Sequence, residues 1–112
     1  MSAVEDRLAE LGLSLPEVAA PLAAYVPAVR DGDYVFTSGQ LPLVDGSLVA
    51  TGKVGDGADQ VSADRAKELA QTCALNAIAA LKSVIGDLDT VTRVVKVVGF
   101  VASDPTFTGQ PG

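Results

Sequence analysis

The sequence predicts a small α+β domain in which one long helix covers a sheet of about four strands. Three observations carry this. An alanine-rich apolar stripe recurs at helical spacing from Ser62 to Ile85, Asp-Gly pairs at 31–32 and 45–46 separate β-branched and aromatic runs, and Thr90 to Ala102 is rich in valine at both odd and even positions.

In chain order, Ser2 to Gly12 reads as a short helix. Ser2 followed by Glu5 fits a capping box, Val4, Leu8 and Leu11 share a face, and Gly12 is a C-terminal stop. Two prolines, Pro16 and Pro21, then mark an extended connector. Tyr25–Arg30 and Asp33–Ser38 read as a hairpin closed by Asp31-Gly32 in a type I′ turn, with Pro27 confining the first strand to an edge or a bulge. Asp45-Gly46 gives a smaller turn between Leu43-Val44 and Leu48-Val49, and the stretch 51–60 reads as an exposed glycine-rich loop. The long helix has Ser62 as N-cap, Asp64 at its positive end and Gly86 at its end. Ala66, Leu69, Ala70, Cys73, Ala77, Leu81 and Val84 form its expected apolar face. In the strand that follows, apolar residues on both faces call for cover on both sides. The helix supplies one layer; the other face is expected to be an interaction surface.

The 112 residues suffice for one domain, 1–112, and 48% apolar residues suffice for a core. There is no histidine, which removes imidazole acid–base chemistry, Ser-His-Asp triads and His-ligated metals. Cys73 is the single cysteine, so no intrachain disulfide forms. The N-terminus lacks the basic and apolar regions of a signal peptide, and no apolar run reaches the roughly 20 residues of a membrane span. A cytoplasmic protein without membrane contacts is expected. A net charge of −6 argues against nucleic-acid binding, which depends on Lys and Arg neutralising phosphates.

Most apparent motifs have plain readings. Gly52-Lys53 lacks the earlier glycine and the following Ser or Thr of a phosphate loop. Asp56, Asp59 and Asp64 do not have calcium-loop spacing. Cys73 lies on the apolar stripe and reads as an inert thiol, while Arg30 and Arg93 read as surface or interfacial ion-pair residues able to grip a carboxylate. The run Thr37-Ser38-Gly39-Gln40, ended by Pro42, places hydroxyls, amides and a carboxamide at a sheet edge, where Gly39 permits close backbone approach.

Tyr25-Val-Pro-Ala-Val29, the segment Asp31-Gly-Asp-Tyr-Val-Phe-Thr-Ser-Gly-Gln-Leu-Pro42, the alanine-rich helix and Val94-Val-Lys-Val-Val-Gly-Phe-Val-Ala-Ser-Asp-Pro105 together resemble the YjgF/RidA family over about residues 21–107. The N-terminal helix, 2–12, is similar to that of a subgroup with an extended N-terminus. The resemblance implies a chorismate-mutase-like α+β fold, helices covering one face of the sheet, and a homotrimer with ligand clefts between subunits. It also implies hydrolysis of reactive enamines and imines of the 2-aminoacrylate type to 2-oxo acids and ammonia, with no metal or organic cofactor. Tyr25, Ser38 and Gly39 match cleft-lining, substrate-binding positions of the family. The family's carboxylate-gripping arginine and water-placing acid lie on later strands and have no counterpart here, so the chain is expected to lack the C-terminal third and no catalytic residue is assigned. Loss of that guanidinium removes a charge-assisted contact of about 1.5–3 kcal/mol. A non-catalytic small-ligand-binding or scaffold protein of the same fold is therefore the alternative expectation, and the family's older ribonuclease name finds no basic cluster here to support it.

Overall fold

The computed structural model describes residues 2–112. Helix α1, Ala3–Glu10, is followed by the hairpin strands β1, Ala28–Asp31, and β2, Tyr34–Thr37. A smaller hairpin follows, β3 at Leu43–Val44 and β4 at Ser47–Leu48, then the long helix α2, Ala63–Ile85, and after it a single 3₁₀ turn, Leu88–Thr90. No helix among the described residues is long and apolar enough to cross a membrane.

Both helices start and stop where their chemistry dictates. Ser2 accepts from the Glu5 N–H at 3.1 Å, and its hydroxyl donates to the Glu5 carboxylate at 3.1 Å. At the other end the Gly12 N–H reaches Ala9 O and the Leu13 N–H reaches Leu8 O, the paired bonds of a Schellman motif. Ser62 accepts from the Arg65 N–H at 3.2 Å, and Gly86 closes α2 with a bond to Lys82 O. A helix as short as α1 is marginal alone. Here it is tethered from 86 residues away, because Asp89 accepts from the Ala3 and Val4 N–H groups at 2.8 and 3.2 Å. Lys82 of α2 donates to Glu5 at 2.9 Å and adds a second tether.

The main hairpin forms one residue later than the sequence suggests. Asp31 pairs with Tyr34, so the two loop residues are Gly32 and Asp33. Gly32 has φ 60° while Asp33 stays in the negative-φ half, which is the type II′ and not the type I′ pattern. The second hairpin turns at Asp45-Gly46 as expected; it is type I′, since Asp45 and Gly46 have φ 51° and 81°, and its return strand is Ser47–Leu48 and not Leu48-Val49, because Val44 pairs with Ser47. Pro27 lies just outside β1, where its carbonyl accepts from the Ser38 N–H at 2.9 Å.

Three expectations are corrected. The two hairpins are separate two-stranded ladders and not one sheet of about four strands. The run 90–102 is no ladder strand: it leaves the 3₁₀ turn and continues without turn or bend, but finds no parallel or antiparallel neighbour until Ser103 bridges Val54. Its valines lie exposed, because pairing needs a strand that the described residues do not place beside it. Finally, the loop 51–60 is not wholly exposed. Val54 and Gly55 are buried, and a Cβ on Gly55 would collide with the Gln60 carboxamide, which is itself tied to Asp104 at 2.8 Å.

The core is small: Val54, Val61, Ala79, Ala80 and Leu88. Helix α2 lies against β1, β2, β3 and the 3₁₀ turn. Its buried face is turned from the expected stripe toward Asn76, Ala79 and Ala80, leaving Ala70 and Val84 exposed. Small side chains at 79 and 80 permit the close approach, and Asn76 is admitted because it is hydrogen-bonded.

Candidate functional site

The open end of the main hairpin is where the sequence-predicted residues meet. Tyr25 from the connector and Ser38-Gly39 from the end of β2 line one notch with Pro21, Leu22 and Leu41. The hairpin ladder explains the meeting: pairing of Ala28 with Thr37 brings the residues before 28 and after 37 side by side. The Tyr25 hydroxyl accepts from the Leu22 N–H at 3.3 Å, the Ser38 hydroxyl donates to Pro27 O at 3.2 Å, and the Gln40 carboxamide donates to Ser38 O at 3.4 Å.

The notch encloses about 10 Å³, room for about one water. Gly39 does not serve close approach internally, since a Cβ there would meet nothing within 4 Å. Any approach its bare backbone permits comes from outside the chain.

Neither candidate arginine lines the notch. Arg30 donates from Nε to Gly32 O at 2.9 Å, at the turn end of the hairpin. Arg93 lies exposed on the unpaired run. Cys73 is half-buried in α2, where burial pushes its thiol pKa up, away from nucleophilic use. No group of three or more metal-binding side chains occurs among the described residues.

The residue that sequence reasoning missed is Asn76. It is 2% exposed, and its Nδ2 donates to Leu41 O and Leu43 O, both at 3.1 Å. These carbonyls flank Pro42, so the two bonds fix the segment that carries the notch wall onto α2. The available signal was a lone amide between Cys73 and Ala80, one helical turn from each. A second feature also escaped the sequence: an open groove of about 510 Å³ between α1, the connector and α2, walled by Leu8, Leu13, Leu15 and Ala79 beside the Glu5–Lys82 ion pair. That pair holds the Glu5 carboxyl below its ordinary range.

Comparison with known proteins agrees with this architecture. Residues 5–110 match the family described as "YjgF/chorismate_mutase-like, putative endoribonuclease". Protein TCP17 of Trypanosoma cruzi is 39% identical over 107 residues, covering 96% of this chain and 65% of that protein. The crystal structure of Atu1372 from Agrobacterium tumefaciens, a protein of unknown function, is 43% identical with a TM-score of 0.82, covering 96% of this chain and 64% of the other. A crystal structure from Shewanella oneidensis, described as a "putative endoribonuclease", is 39% identical with a TM-score of 0.72, covering 80% of this chain and 58% of the other. The chain thus spans just under two thirds of the length of TCP17 and of Atu1372. With the family match running over residues 5–110, almost end to end, the chain belongs to the YjgF/chorismate-mutase-like family.

Proposed function

We propose that this chain supplies one wall of a cleft that binds small 2-imino and 2-oxo acids, and that the completed cleft hydrolyses reactive enamines and imines to 2-oxo acids and ammonia. The observation that carries the reading is the convergence of Tyr25, Ser38 and Gly39 on one notch from separate stretches of chain. Tyr25 and Ser38 bring hydroxyls, Gly39 an unobstructed backbone, and Gln40 a carboxamide. These groups suit a small polar acid and the water that attacks it. A notch of about 10 Å³ is too small for such a ligand, so its opposite wall belongs to another polypeptide segment. A neighbouring subunit of a homotrimer is our choice for that wall, in a cytoplasmic setting and without a cofactor.

The test is ammonia release from 2-aminoacrylate generated in situ. The account expects release faster than in buffer, and slower release with Ser38→Ala. Wild-type protein that gives no acceleration contradicts hydrolysis.

A second reading, ligand binding without turnover, is favoured by one observation: neither Arg30 nor Arg93 lines the notch, so no guanidinium there grips a carboxylate. Calorimetry with 2-oxobutyrate separates the two, because heat of binding without ammonia release selects the second. RNA cleavage, the activity in the family's description, is opposed by the net charge of −6 and the lack of histidine.

A further inference from the structure

The groove between α1, the connector and α2 shares no lining residue with the notch. Its volume of about 510 Å³ lies in the range of small-molecule clefts, roughly 300–1,000 Å³. Bonds at both ends of α1 fix its shape. Asp89 caps the first turn, the Leu13 N–H folds back onto Leu8 O at 2.8 Å, and Lys82 ties Glu5 to α2 at 2.9 Å. Leu8, Leu13 and Leu15, each half-buried, give the groove its apolar wall beside buried Ala79.

The polar groups of the groove accept more than they donate. The Lys82 ammonium is engaged by the Glu5 carboxylate. The Ser83 hydroxyl spends its proton on Ala80 O at 2.6 Å and keeps lone pairs to accept with. Glu17 lines the connector side and forms no ion pair among the described residues. The lining therefore holds one cation against two carboxylates, in a chain of net charge −6. An anionic ligand, 2-oxo acids included, meets repulsion from Glu17 and finds Lys82 already paired. An ammonium group reverses both effects, since it brings three donors, no acceptor and a positive charge.

We propose that this groove is a binding site for an amphipathic amine, with the apolar body against Leu8, Leu13 and Leu15 and the ammonium at Glu17 and Ser83. The test titrates isotope-labelled protein with hexylamine, hexanoate and methylamine in two-dimensional NMR at neutral pH. The expected result is saturable shifts at the amides of Leu13, Ser14, Leu15, Glu17 and Ser83 with hexylamine. Hexanoate and methylamine should each bind more weakly, the first for want of the charge and the second for want of the tail. Glu17→Gln should weaken hexylamine by about threefold or more, the scale of one exposed ion pair, with the spectrum away from the groove unchanged. Leu13→Ala should weaken it as well. Groove signals that hexylamine leaves unmoved, equal binding of hexanoate or of methylamine, or a Glu17→Gln variant with unaltered affinity would overturn the proposal. So would groove signals that shift with protein concentration alone, because the occupant would then be a second copy.

Discussion

Asn76, a lone buried amide, holds the segment beside the candidate site onto α2. Its two bonds to Leu41 O and Leu43 O are the polar link between α2 and the segment after Gly39. Asn76→Ala leaves both carbonyls without that donor and is expected to destabilise the fold by about 1–3 kcal/mol in urea denaturation. Asn76→Asp should be no milder, since a carboxylate cannot donate and faces two oxygens. This contact was not legible in the sequence: helical periodicity counts a lone amide as an interruption, and its acceptors are backbone atoms 33 and 35 residues away. Asp104 makes a second case. The Thr106 N–H, then the Gln60 carboxamide and the Thr106 hydroxyl, favour the ionised form and hold its pKa at about 2 against an ordinary 3.8. Because the folded value is the lower one, its stabilising effect is present above pH 3.8 and is lost as the pH falls toward 2. Carboxyl NMR should show Asp104 titrating near 2; a midpoint near 3.8 would contradict the hydrogen-bond assignment.

Elements were legible in proportion to how local their determinants are. Helix α2 could be read to the residue because Ser62 and Gly86 mark its ends, and the second turn, though not its return strand, because Asp45-Gly46 suits two positive φ angles. The first hairpin slipped by one residue because Gly32 satisfies a type II′ turn at its first position as well as a type I′ turn at its second. The run 90–102 was misread for the opposite reason: its composition is that of a strand, but a ladder needs a neighbour, and none among the described residues lies beside it. Helix α1 shows a long-range determinant of the other kind, with its first N–H groups capped by Asp89. Asp89→Ala should cost about 0.5–2 kcal/mol, the usual range for a lost N-cap, and should speed amide exchange at Ala3 and Val4 while leaving α2 unchanged. Equal loosening of both helices would mean that the tether acts on the whole fold.

At the scale of the whole molecule, a small core supports large uncovered apolar surfaces, and the candidate site is a single wall. The same deficit explains both. Chains of this size bury only about two thirds of their unfolded surface, and here the 91–101 run adds valines that stay 38–83% exposed. The excess apolar surface and the residues of the notch were legible in the sequence; the notch's small volume appears only when the backbone is folded. The central claim is that this wall belongs to a binding cleft for small 2-oxo acids. Two-dimensional NMR of the isotope-labelled protein titrated with 2-oxobutyrate tests it most directly. The account predicts shifts concentrated at the amides of Ser38, Gly39 and Gln40 and at the Tyr25 ring. Unmoved signals there, or shifts centred instead on the groove beside Leu13 and Lys82, would contradict it.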